Sequence, residues 1–172
     1  LADRREPRGA RLDDLARELV GVDVHGAVLD EVRSYAGLRS TSLNAHEYRL
    51  NGEKVFQRLV LDQGYWEDSF MTAPSDDAFT TDIRLAMEAG FNGARLHQKV
   101  FDQRMLFWAD LHGYLTWGEF GDWGVSGLGP LGDNQQPTAS FIGQWIEAVA
   151  RDINHPSIIG WCPLNETHQI LH

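Results

Sequence analysis

From Val55 onward one unit recurs three times in this sequence: a short apolar run, a polar loop, then an amphipathic stretch at helical spacing. The apolar runs are FQRLVLDQG, FNGARLHQ and YLTWGEF, and a fourth, SIIGWCPLNE, closes the series. Near-continuous apolar strands alternating with helices read as a parallel sheet covered on its outer face. The first helix is expected to start at Ser75, with Asp76 and Asp77 at the positive end of its dipole. Its buried stripe reads Phe79, Ile83, Ala86 and Met87, and Gly90 ends it. A second helix, from about Asp102, turns Leu106, Phe107 and Leu111 inward and stops at Gly113. A third opens at Thr138 or Ser140, with Phe141, Ile142, Trp145, Ile146, Val149 and Ile153 on one side, and ends at Asn154-His155-Pro156.

Four strands with three intervening helices fit either a small doubly wound sheet or the first half of a (β/α)8 TIM barrel, and the polar residues decide between them. Asp62 and Gln63 end the first strand, Arg95, His97 and Gln98 the second, Glu119 the third, and Asn165 and Glu166 the fourth. A barrel gathers one or two groups from every strand at its C-terminal face, whereas a doubly wound sheet concentrates binding at one switch point. The α/β half barrel is the expected fold, preceded by a short β/helical remnant.

That remnant occupies residues 1–43, and the barrel part residues 44–172. In the remnant, RLDDLARELV carries Leu12, Leu15, Ala16, Leu19 and Val20 at helical spacing, which reads as a short amphipathic helix or, with its Arg-rich approach, equally as a solvated leader. From Val22 to Leu43 the pattern turns to β, with a turn at His25-Gly26 and a break at Gly37. In YRLNGEKVF, Asn51-Gly52 sits between alternating residues, the signal of a tight hairpin with positive φ at both central positions.

The 42% hydrophobic content excludes a disordered tail, and 172 residues suffice for a substantial core. A net charge of -10 argues against a nucleic-acid partner, because phosphate binding rests on clustered Lys and Arg. No run approaches the ~18 uninterrupted apolar residues of a membrane span, and LADRREPRGA has no signal-peptide core. With one cysteine, Cys162, no internal disulfide forms, and its apolar run favours a small buried hydrophobe. The expectation is a soluble protein, cytoplasmic rather than secreted, with neither a membrane nor a nucleic acid as partner. Leu1 in place of a start methionine suggests a piece of a longer reading frame.

Glu166 is the sharpest chemical candidate. In a regular strand Asn165 and Glu166 face opposite sides, so both reach one site only if the strand ends or bulges there. Trp161, with Trp117, offers flat apolar walls that suit a sugar ring and raise a nearby carboxyl's pKa by desolvation. By spacing alone, however, a lone Glu more often begins a solvated loop.

RDINHPSIIGWCPLNE, Arg151 to Glu166, resembles the signature of family 2 glycoside hydrolases, the group of β-galactosidases, β-glucuronidases and β-mannosidases. There the run reads R-D-x-N-H-P-S, an apolar strand, then W-x-x-x-N-E, and this sequence fits each position. LNGEKVFQRLV resembles the hairpin entering the family's first barrel strand, DIRLAMEAGFNGARLH the helix and strand carrying N-x-x-R, and FWADLHGYLTWGE the next helix and strand. YAGLRS resembles the junction from the family's immunoglobulin-like domain, so the likeness runs from about residue 28.

The resemblance implies a retaining glycosidase acting on a carbohydrate, with Glu166 as general acid/base and Asn165 bonding the sugar's 2-hydroxyl. It places Arg95 at the floor of the site as an orienter of carboxylates and Glu119 at a polar position; by their strand-end places His97, Trp161 and Asp62 are also expected among the substrate contacts, with packing an even alternative for His97. No cofactor is implied, and no metal: Phe120-Gly121-Asp122 follows Glu119 where the galactosidase branch has a His. His97-Gln98-Lys99 stands where many members read Ser-His-Tyr, and DQGYW replaces a His-rich end of strand one. The family's nucleophile, on strand seven, would lie well past His172, so these residues alone are expected to be inactive. The alternative is a non-catalytic half-barrel module that binds sugar or self-associates through its open edges.

Other patterns are decoys. GLGPLG, Gly127 to Gly132, satisfies G-x-G-x-x-G but contains Pro130 and runs into DNQQP rather than a helix, so it reads as a loop over the site. The seven His residues show no tight ligand spacing, and Trp108 and Trp145 read as core.

Overall fold

The computed structural model describes residues 16–22, 24–121 and 138–165. The chain divides into two compact units, one built on residues up to Val55 together with Asn154–Pro156, the other on residues from Phe56 onward.

Among the described residues the regular elements of the first unit are all strands. Strands β1 (Ala16–Val22) and β2 (Val28–Tyr35) form an antiparallel ribbon. The helix expected for RLDDLARELV is therefore not formed where it is described: Ala16, Leu19 and Val20 lie in β1, while Leu12 and Leu15 fall outside the described residues. A short helix with no partner is marginal in water, whereas pairing with β2 across the His25-Gly26 turn gives Ala16–Val22 a ladder of backbone hydrogen bonds. Strands β3 (Thr41–Leu43), β4 (Tyr48–Leu50) and β5 (Glu53–Lys54) form a meander. Asn51 at φ 52° and Gly52 at φ 82° make the tight turn between β4 and β5 that Asn-Gly foretells. His155 Nδ1 lies 3.3 Å from the Tyr35 hydroxyl.

The second unit holds a parallel sheet of strands β6 (Leu59–Asp62), β7 (Gly93–Leu96), β8 (Leu115–Glu119) and β9 (Ile158–Cys162), hydrogen-bonded in chain order. Helices α1 (Asp76–Glu88), α2 (Gln103–His112) and α3 (Thr138–Asp152) connect them. This is the predicted α/β arrangement of four parallel strands and three helices, strictly sequential, with no switch point among the described strands.

The core lies between sheet and helices: Phe79, Ile83, Ala94, Leu96, Phe101, Met105, Leu106, Ala109, Tyr114 and Ile158 are all buried. The helical stripes are narrower than their hydrophobicity suggests. Phe79 and Ile83 are buried in α1, Ala86 is partly so, and Met87 is exposed. In α2 the inward residues are Met105, Leu106 and Ala109, and the 100° step between residues carries Leu111 out into solvent. In α3 Phe141, Trp145 and Val149 are half-buried while Ile142, Ile146 and Ile153 are exposed, because a helix on a sheet covers one side only. The ends are set locally: the Asp102 side chain accepts from the Arg104 N–H to start α2, and Gly113 at φ 64° closes it. At Ser75 the backbone has N-cap geometry, but no side-chain cap bond forms.

Candidate functional site

The strand ends assemble around Glu119. Register pairs Leu61 with Arg95, Arg95 with Trp117, and Glu119 with Cys162, so β-alternation brings Arg95, Trp117, Glu119 and Cys162 to the sheet face turned away from the helices. Arg95 Nε donates to Glu119 Oε2 at 2.5 Å and Nη2 donates to Oε1 at 3.1 Å, a two-armed pairing of guanidinium and carboxylate. The Gln98 N–H adds a third bond to Oε1 at 2.9 Å, and His97 Nδ1 stands 3.5 Å from the same oxygen. Glu119 is only 3% exposed, so a carboxylate withdrawn from water is held by the charge and three donors around it. Those bonds raise the Arg95 pKa further and keep the guanidinium charged.

Arg95 also reaches the segment that follows β9. Its Nη2 donates to Asn165 Oδ1 at 2.5 Å, spanning 70 residues of chain. That bond fixes the orientation of the amide, because the oxygen must face the guanidinium and the NH2 group is turned elsewhere. Trp117 Nε1 donates to Gln57 Oε1 at 2.9 Å, which holds the indole on this face. Among the strand-end candidates, then, the structure brings together Arg95, His97, Glu119 and Asn165. Glu166 and the Gly127–Gly132 loop lie outside the described residues.

Two candidates lie on the opposite face. Asp62 pairs in register with Leu96, a core residue, and so points toward the helices, where its Oδ1 accepts from the Gly64 N–H at 2.8 Å. Burial pushes its pKa up, with the nearby Asp82 adding to the effect. Trp161 packs edge-on against Trp145 of α3, ring centres 5.6 Å apart, and lies over Gly118, where a Cβ would stand 2.4 Å from its ring. The reason is a one-residue slip in the β8–β9 register between Thr116 and Trp117, after which Gly118 rather than Glu119 opposes Trp161.

Two participants take parts the sequence pattern does not spell out. The Gln98 amide bonds Glu119, and Gln98 adopts φ 51°, a left-handed conformation that glutamine does not advertise. Cys162, read as a small buried hydrophobe, is half-exposed beside Glu119, and its Sγ donates to the Leu164 carbonyl at 3.3 Å. Burial first, and then the Glu119 charge, raise its pKa and keep it a thiol. Among the described residues no group of three or more His, Cys, Asp or Glu is arranged to hold a metal ion, and no helix is long and apolar enough to cross a membrane.

No protein-family model matches the chain. In sequence it is 26% identical over 162 residues to a β-galactosidase of Lactococcus lactis subsp. lactis (strain IL1403), covering 90% of this chain and 16% of that protein. It is 25% identical over 170 residues to a β-glucuronidase of Paenibacillus borealis, covering 94% of this chain and 28% of the other. In structure it is similar to a Ruminococcus gnavus β-glucuronidase in complex with uronic deoxynojirimycin, with a TM-score of 0.74, 22% identity, and coverage of 91% of this chain and 26% of that one. A GH2 β-galacturonidase from Eisenbergiella tayi bound to galacturonate matches with a TM-score of 0.68, 23% identity, and coverage of 81% and 24%. The chain thus spans between 16% and 28% of the length of these four proteins, which support the likeness to family 2 glycoside hydrolases read from Arg151–Glu166.

Proposed function

We propose that this chain is part of a retaining β-glycoside hydrolase of family 2 and contributes the acid/base side of its active site. Residues 1–43 would be a leader and the remnant of an immunoglobulin-like domain, and residues 44–172 the first half of a (β/α)8 barrel. A sheet ordered strictly as the chain runs, with polar groups at consecutive strand ends, supports the barrel over a doubly wound sheet. The single observation that carries the functional reading is the Glu119–Arg95–Asn165 chain of bonds. It holds Asn165 with its NH2 group turned away from the guanidinium, as a donor to a sugar hydroxyl must be, and it anchors the residue immediately before Glu166.

In this mechanism Glu166 protonates the departing glycosidic oxygen, then takes a proton from the water that releases the sugar. Asn165 bonds the 2-hydroxyl, His97 borders the sugar, and Glu119 and Arg95 form the floor. A retaining reaction needs a second carboxylate about 5 Å from the acid/base. Glu119 is committed to Arg95 and Gln98, and Asp62 points into the helical layer, so the nucleophile comes from outside the described residues. Asp62 and Trp161 support the floor from behind.

The test is hydrolysis of β-glucuronides and β-galactosides by the intact enzyme that carries this chain, with and without Glu166→Gln. The expected loss is about 10²–10⁴-fold in kcat/KM for alkyl glycosides and less for aryl glycosides, whose leaving groups depart without protonation. Turnover unchanged by Glu166→Gln would overturn the assignment. Retained sugar affinity with no hydrolysis in either form would point instead to a binding or self-associating module.

A further inference from the structure

Lys99 stands next to Gln98 and reaches away from the site into the loop that follows β6. Its Nζ donates to the Gly64 carbonyl at 2.8 Å and to the Met71 carbonyl at 2.5 Å. The ammonium also lies 5.3 Å from the ring centre of Trp66 and 4.9 Å from that of Phe101. Two of its three protons are therefore spent on backbone carbonyls seven residues apart, and its charge rests between two aromatic faces.

The loop it grips is closed on itself, for Trp66 and Phe70 exchange backbone hydrogen bonds at 2.8 Å in both directions. Gly64 is at φ 61°, and a Cβ there would stand 2.8 Å from Lys99 Nζ and 2.9 Å from the Phe101 ring. Glycine at this position leaves the space the ammonium occupies. On the other side of Lys99, Gln98 is held at φ 51°, a conformation a side-chain-bearing residue keeps only where its surroundings fix it. The Gln98 N–H donates to Glu119, and the left-handed step that follows it sends the Lys99 side chain to residues 64–71.

We propose that Lys99 is a positioning residue: by tying residues 64–71 to the loop after β7, it holds Gln98 in its left-handed conformation and so fixes the Glu119 carboxylate that carries Arg95 and Asn165. This role stands on the geometry alone and does not depend on the reaction assigned to the site.

The experiment is amide hydrogen exchange and the Arg95 Nε–H resonance by NMR on the 15N-labelled chain, comparing wild type with Lys99→Met, Lys99→Arg and Gly64→Ala. Lys99→Met removes the charge while keeping the stem, and Gly64→Ala displaces the ammonium from the other end. In both, the Gln98 amide is expected to exchange roughly tenfold faster or more, with the Arg95 signal shifted. The Thr116 amide, bonded to the Ser157 carbonyl, keeps its protection, and Lys99→Arg restores part of the Gln98 protection. Equal acceleration at Gln98 and Thr116 would reduce Lys99 to general stability and overturn the proposal. Unchanged Gln98 exchange in a folded Lys99→Met or Gly64→Ala protein would overturn it as well. Should Lys99→Met fail to fold, Gly64→Ala decides.

Discussion

Glu119→Gln is the substitution that weighs most directly on how the strand ends are held. The side chain of Glu119 is fully buried and accepts from Arg95 Nε, Arg95 Nη2 and the Gln98 amide. Glutamine keeps the shape but cancels the charge, and its NH2 group meets donors where the second carboxylate oxygen had accepted. Breaking one side of a buried ion pair costs about 3–5 kcal/mol. Arg95 retains 32% side-chain exposure, so water takes up part of the uncompensated charge, and the expected cost falls to about 2–3 kcal/mol. For a chain of 172 residues that corresponds to a drop in Tm of roughly 5–10 °C. Urea denaturation followed by tryptophan fluorescence measures it, with Glu88→Gln as the control. The Arg84–Glu88 pair sits on the surface of α1, more than half exposed on both sides, and its loss is worth about 0.2–0.5 kcal/mol. If Glu119→Gln costs no more than Glu88→Gln, Glu119 is not a buried anchor and the reasoning fails.

Two further outcomes follow from the same structure. Asp62 has a raised pKa from burial, so the folded state binds its proton more tightly than the unfolded chain does. Its contribution to stability is therefore fully present below the ordinary value near 3.8 and is lost as pH rises through the folded pKa. Asp62→Asn, which still accepts the Gly64 N–H, should raise Tm at neutral pH and lose that advantage in acid; a lowered Tm at neutral pH would contradict the burial argument. At the helix starts, Asp102→Ala should cost about 1 kcal/mol because its side chain caps α2, whereas Ser75→Ala, with no cap bond to lose, should stay within about 0.5 kcal/mol; chemical denaturation of the two variants separates them, and equal costs would show that the cap bond carries nothing.

The sheet and its helices were legible because period is a local property: apolar runs, an N-cap at Asp102, stops at Gly90 and Gly113, and the Asn51-Gly52 turn each announce themselves within a few residues. What was not legible depended on partners far away in sequence. Ala16–Val22 has helical spacing, yet it pairs with Val28–Tyr35, and a ladder outweighs the propensity of one short run. Likewise nothing in the spelling of α3 says which of its isoleucines the sheet leaves uncovered.

The same limit explains why Arg95, Glu119 and Asn165 converge while Trp161 does not. With unbroken register from the Thr116–Ile158 pair, Trp161 would stand opposite Glu119 on the site face. The slip after Thr116 passes over Ile159, so Gly160 pairs with Trp117, Trp161 with Gly118 and Cys162 with Glu119. Each indole then has a glycine to lie over: Trp117 covers Gly160 on the site face, and Trp161 covers Gly118 on the helical face. A Cβ at either glycine would stand within about 2.5 Å of the facing ring, so the register and the two glycines demand one another. A one-residue bulge thereby exchanges the faces of every side chain downstream of it. Trp161 goes to the core beside Trp145, and the thiol of Cys162 goes to the polar cluster. Sequence alternation locates the chemistry at the end of β9, and the bulge decides which of its residues take part.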